Sequence, residues 1–201
     1  MNKRKIITFM VIPILVIAAL VYTYQIKTNA TISSTNREEV AAEVPVKAEV
    51  EKTSAAPKSI IFQPDTDKQI VNPIAPVGTD QEGRMYVPDD ISKVYWYKFG
   101  PTPGDKGNAI IAGHRDWGGK LGMFQYLETI EVGEKVAIID TDNKKTVFKV
   151  VSKNSYPYKK FPNKLMDTTK GQQVTLISCT GVFIRSEESY ANREVVILKK
   201  V

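Results

Sequence analysis

The sequence predicts an all-β, barrel-like domain carried behind one membrane-spanning segment, and three observations predict it. Short runs rich in Val, Ile, Tyr and Trp, separated by Pro and Gly, recur from Gln69 to the C-terminus, which is the pattern of successive strands and turns. Only residues 123–130 and 163–168 read as short helices, so a barrel of strands is the economical arrangement. One apolar run, residues 6–24, is long enough to cross a bilayer.

Taken in order, Met1-Asn2-Lys3-Arg4-Lys5 is a cationic tail, residues 1–5, ahead of a transmembrane anchor, residues 6–24, interrupted only by Thr8, Pro13 and Thr23. The cations lead the run and only Lys27 follows closely, so the tail is expected in the cytoplasm and the rest outside. A cleaved signal peptide is the competing reading, with Thr28-Asn29-Ala30 as a loose cleavage site, but the apolar run is long for one. A buried core helix would show a polar outward face, and none is present. Residues 25–65 shift to Thr, Ser, Ala, Glu, Lys and Pro without apolar periodicity, as in a flexible extracytoplasmic tether.

Residues 66–201 read as the globular domain. Tyr86-Val87, Val94-Tyr95-Trp96-Tyr97 and Ala109-Ile110-Ile111-Ala112 are β-prone, and Val136-Ala137-Ile138-Ile139 and Val147-Phe148-Lys149-Val150-Val151 flank the polar turn Asp140-Thr141-Asp142-Asn143 as a hairpin. Residues 174–179 and 194–198 supply two last strands.

Charge and cysteine count narrow the function classes. The net charge of +6 is dispersed, with Lys144-Lys145, Lys159-Lys160 and Lys199-Lys200 as scattered pairs, whereas nucleic-acid binding needs a concentrated basic stripe or a reading module. A basic surface suits an anionic envelope and equally a merely solvated face. The single cysteine excludes an internal disulfide, leaving the thiol for chemistry or packing.

That cysteine, Cys179, and the one histidine, His114, each follow an apolar strand-like run and precede Gly-bearing turns, at Gly181 and at Gly118-Gly119. Singly, each is more often a core or structural side chain; together at strand ends they sit where scaffolds present reactive groups. A thiol attacks as thiolate, and a neighbouring imidazole can hold the proton and return it to a leaving amine. Acyl transfer also builds charge on a carbonyl oxygen, which a fixed cation stabilises. Arg193, opening the last strand, is a candidate for that cation, with Arg115 and Arg185 as rivals that periodicity does not separate.

Thr175-Leu176-Ile177-Ser178-Cys179 is similar to the sortase signature Thr-Leu-x-Thr-Cys, with Ser178 in place of a Thr. Ala112-Gly113-His114-Arg115 resembles the segment that carries the family histidine, and Asn192-Arg193-Glu194-Val195-Val196 the strand that carries the family arginine. The order His, Cys, Arg also matches. Trp96-Tyr97-Lys98-Phe99-Gly100-Pro101-Thr102-Pro103-Gly104-Asp105, Phe124-Gln125-Tyr126-Leu127 and Val132-Gly133-Glu134-Lys135-Val136 look most like the class D, E and F sortases.

The resemblance implies a closed eight-stranded β-barrel with short helices, preceded by the transmembrane helix. It implies a cysteine transpeptidase of Gram-positive cell walls. Such an enzyme cleaves a Leu-Pro-x-Thr-Gly-like sorting signal after Thr, holds the acyl group on Cys179, and passes the surface protein to a cell-wall precursor amine. His114 would be the general acid and base, and Arg193 would steady the carbonyl oxygen. No metal or organic cofactor is required, and no carboxylate-dense calcium loop is visible. Residues 156–162 and 181–190 are candidate groove walls. Two other readings remain at this stage: an extracytoplasmic cysteine hydrolase, although many papain-like ones place Cys before His, and an anchored binding module or inactive sortase-like protein.

Overall fold

The barrel begins earlier than composition predicts. In a computed structural model that describes residues 54–201, β1 (Pro57–Phe62) lies inside the stretch assigned to the tether, with Ile60 and Phe62 fully buried. The boundary at residue 65 is therefore corrected: Ile60-Ile61-Phe62 is too short an apolar run to stand out beside the Ser- and Pro-containing residues before it, yet it completes the wall. The cytoplasmic tail, the anchor and the tether up to residue 53 lie outside the described residues. Among the described residues no helix is long and apolar enough to cross a membrane.

The chain continues through β2 (Ile70–Val77), β3 (Val94–Tyr97), β4 (Gly107–Ala112), a small ribbon of β5 (Asp116–Trp117) and β6 (Lys120–Leu121), then β7 (Lys135–Asp140), β8 (Lys145–Pro157), β9 (Gln172–Ile184) and β10 (Ser189–Lys200). Eight of these close a barrel in the order β1, β2, β3, β4, β9, β10, β8, β7. Pairings are antiparallel except β2 with β3 and β4 with β9, which run parallel. The expected β7–β8 hairpin is present. The two expected helices are 3-10 turns, Met123–Glu128 and Asn163–Met166. Tyr86-Val87 is not a strand: it belongs to the long β2–β3 connection, whose one ladder-like contact is a bridge between Thr79 and Met85. Val87 precedes Pro88, and Pro88 has no N–H to extend a ladder.

Alternation assigns the faces. Ala109 and Ile111 of β4, Val174 and Leu176 of β9, and Val196 and Leu198 of β10 point inward to a core with Ile60, Phe62, Trp96, Phe124 and Phe148. The intervening residues, among them Ala112, Ile177, Cys179 and Arg193, face the outside of the barrel.

Leu176, fully buried in that core, is the residue to test. Leu176→Ala is expected to cost about 2–5 kcal/mol in urea unfolding, while Val182→Ala, at a position 76% exposed, should stay within about 0.5 kcal/mol of the parent. Equal effects would refute this assignment of faces.

Candidate active site

Three adjacent strands bring the three sequence candidates to one end of the barrel. β4 and β9 are paired in parallel with Ala112 beside Ile177, so two residues further on His114, just past the end of β4, comes level with Cys179, which lies within β9. On the other side of β9, Arg193 of β10 is the direct antiparallel partner of Cys179. Of the three candidate arginines, Arg193 is thus the one paired across the strands with the thiol. Arg115 is engaged elsewhere, its guanidinium bound to Asp116 and, at 2.6 Å, to Glu128, which holds its charge firmly in place and neutralised. Arg185 sits in the exposed turn between β9 and β10.

Local packing holds His114 tightly. The Ser178 hydroxyl, at the position where the signature has Thr, donates to the Gly113 carbonyl at 3.1 Å and ties β9 to the turn that carries the histidine. Gly113 has no room for a side chain, since a Cβ would lie 2.9 Å from the Phe124 ring. Gly122 packs directly on the His114 backbone, where a Cβ would meet its carbonyl oxygen at 2.3 Å. The His114 ring lies 5.1 Å from the Trp117 ring, centre to centre, and its Nε2 is 2.8 Å from the Pro88 carbonyl oxygen.

Arg193 is aimed by neutral acceptors. It donates to the carbonyls of Tyr190 and Asn192 at 3.0 and 3.1 Å and to the Ser189 hydroxyl at 2.9 Å, and its guanidinium stands 5.5 Å from the Tyr158 ring. No carboxylate cancels its charge among these contacts. Cys179 is half-buried, and burial pushes its thiol above the usual range; Arg193 pulls it back down, Asp116 opposes that pull and Arg115 adds to it. At neutral pH the thiol is therefore mostly protonated and needs a base.

Beside this end runs an open groove of about 590 Å³ whose walls include Met85, Tyr86, Val87, Phe161 and Met166, with Ala112, Ile177 and Arg193 on its floor. Of the two expected walls, residues 156–162 contribute Tyr158 and Phe161. The segment 181–190 does not line the groove and serves to hold Arg193 through Ser189 and Tyr190. The β2–β3 wall went unseen in the sequence because Tyr86-Val87 read as a strand; the Pro that follows was the available signal. Among the described residues no three His, Cys, Asp or Glu side chains are grouped to hold a metal ion.

The charge balance around the thiol predicts a pH profile. Alkylation of Cys179 by iodoacetamide should rise with pH and inflect above the ordinary thiol range. Arg193→Ala should move the inflection further up, Arg193→Lys should largely restore it, and Asp116→Asn should move it down. A parent inflection below that of a free thiol would contradict the assignment.

Comparison with known proteins gives a consistent answer. No curated protein matches the chain. Among solved structures, sortase A from Corynebacterium diphtheriae superposes with a TM-score of 0.52 at 20% identity, over 74% of this chain and 62% of that one. Sortase C1 from Streptococcus agalactiae gives 0.53 at 18% identity, over 72% and 66%. Listeria monocytogenes sortase A gives 0.50 at 19%, over 74% and 88%. The chain thus spans less than two thirds of the first two relatives, and at these identities the likeness is one of fold. The Sortase domain family matches residues 61–201, most of the chain, and the protein belongs to the sortase family, whose members are cysteine transpeptidases.

Proposed function

We propose that this sortase cleaves a Leu-Pro-x-Thr-Gly-like sorting signal between Thr and Gly and transfers the new acyl end to a cell-wall amine. The observation that supports the reading is the order and register of β4, β9 and β10, in which the strands leading to the imidazole and the guanidinium flank the strand that carries the thiol. In the first half-reaction Cys179 gives its proton to His114 and attacks the Thr carbonyl carbon, and the oxygen takes the electron pair. Arg193 faces that oxygen with an uncancelled charge. The tetrahedral intermediate collapses, the carbon–nitrogen bond breaks, and His114 returns the proton to the departing Gly amine. In the second half the acceptor amine attacks the thioester, gives its proton to His114, and expels the Cys179 thiolate, which is reprotonated.

The groove supports the substrate side of the reading. Its apolar walls, Met85, Val87, Phe161 and Met166, suit an extended peptide with apolar side chains that ends at the thiol. On sequence similarity alone we place the chain with the class D, E and F sortases. We further propose that residues 6–24 anchor it in the cell membrane, with the domain outside. Anchoring would hold the enzyme beside an exported substrate and a lipid-linked acceptor, raising effective concentration without new contacts.

The test is turnover of a fluorogenic Leu-Pro-x-Thr-Gly-like peptide library with a glycine or diamino-acid acceptor, with products weighed by mass spectrometry. A Thr-to-amine adduct is expected. Cys179→Ala should abolish it, and Arg193→Ala should lower kcat/KM by about 100- to 1000-fold. A folded protein that turns over no peptide would return the assignment to an anchored binding module.

A further inference from the structure

The hydrogen bond on the His114 ring points to a feature of the proton transfer that the three reacting residues do not specify. Nε2 stands 2.8 Å from the Pro88 carbonyl oxygen. A carbonyl oxygen only accepts, so Nε2 must carry the hydrogen. We propose that Pro88 is a positioning residue whose carbonyl locks His114 in the Nε2–H tautomer, which makes Nδ1 the nitrogen that takes the Cys179 proton and returns it to the amine. The assignment rests on reading the chain as a transpeptidase only for the identity of the proton's partners; the tautomer itself does not depend on it.

The surroundings fix both sides of that hydrogen bond. Pro88 has its φ set by its own ring, and Val87 before it is biased to an extended backbone, so the chain reaches the carbonyl with few conformations and one main torsion left to aim it. The connection around it is pinned upstream and downstream. The Tyr86 N–H donates to the Gly78 carbonyl at 3.1 Å, and Asp80 accepts from the N–H groups of Glu82 and Arg84 at 3.1 and 2.8 Å. On the far side the buried Tyr95 hydroxyl donates to the Asp90 carbonyl at 2.7 Å, and Asp90 caps Ser92. The ring is bounded by Trp117, and its backbone is pressed by Gly122.

Among the described residues no carboxylate takes the orienting role. The nearby Asp116 is engaged by Arg115 and accepts from the Tyr190 hydroxyl at 2.7 Å. A neutral carbonyl orients the imidazole without setting a countercharge against it, so the proton picked up at Nδ1 is free to leave with an amine. Met85, Tyr86 and Val87 of the same connection line the groove, so the segment that a bound peptide would touch also aims the base.

The chain contains one histidine, which makes the tautomer directly readable. The full chain, solubilised, freed of any affinity tag and labelled with 15N at histidine, is examined by long-range 1H–15N correlation above the imidazole titration. A protonated, pyrrole-type Nε2 and an unprotonated, pyridine-type Nδ1 are expected. A protonated Nδ1, or one averaged signal from two exchanging tautomers, would overturn the proposal. Pro88→Gly keeps the carbonyl but frees its direction. It should mix the tautomers and lower kcat by about 10- to 100-fold with KM changed less than about twofold. Unchanged tautomer and kcat in that variant would equally overturn the positioning role. A locked Nε2–H form in a parent protein that turns over no peptide would uphold the positioning and remove the transpeptidase reading instead.

Discussion

The backbone ladder joining β4, β9 and β10 is the constraint on which the site depends. A strand's side chains alternate between faces, so a slip of one residue in β9 would turn Cys179 into the core and bring a core residue out. Several features hold the register. Val174 and Leu176 must stay inside with Ala109, Ile111, Val196 and Leu198. Across the parallel pair the buried Thr175 hydroxyl donates to the Asn108 side chain at 2.6 Å, and further along Ser178 donates to the Gly113 carbonyl. These two cross-links bracket the stretch that leads to His114 and Cys179, and a buried hydroxyl left without its acceptor would make any other register costly.

The electrostatics follow from the same placement. Arg193 and Arg115 both reach Cys179 with their fields, but they differ in what balances them. Arg115 has Asp116 and Glu128 as partners, so its charge is more than balanced within a cluster that also ties the β5–β6 ribbon to Tyr190. Arg193 is held by carbonyls, a hydroxyl and an aromatic face. Those contacts orient a guanidinium without cancelling it, which is the condition for stabilising a charge that appears only during reaction. The thiol thus sits in a compromise in which burial keeps it protonated at rest and an uncompensated cation favours the ionised form when a base removes the proton.

How much of this was legible in the sequence depends on the kind of residue. His114 and Cys179 stood out because each occurs once and each ends a strand-like run. The hairpin around Asp140-Thr141-Asp142-Asn143 was legible from its polar turn. Which of Arg193, Arg115 and Arg185 pairs with the thiol strand was not, because that depends on cross-strand pairing and on ion pairs formed only in the fold. β1 was hidden by its brevity. The β2–β3 connection was misread because Tyr86-Val87 has strand propensity, while its actual course is set by Pro88 and by the turn closed on Asp80. Nothing local to His114 announces a partner 26 residues earlier.

Both faces of β4 are covered, which explains why Ala109-Ile110-Ile111-Ala112 reads as an apolar run without alternation. Its inner face packs the core, and its outer face is covered by the segment around Asn163–Met166, to which the Asn108 side chain donates at the Leu165 carbonyl, 3.0 Å away. That cover thins along the strands. Asn108 and Ile110 are 2% and 1% exposed, Ala112 is 9% exposed, and Cys179 is only half-buried. Asn163 and Met166 at the edge of the cover are also groove walls. The same segment therefore excludes water from the outer face and shapes the place where a peptide would lie. Specificity can vary there only within limits set by the need to keep Ile110 and Thr175 dry, whereas His114, Cys179 and Arg193 stand beyond the buried stretch, where the cover places no demand on them.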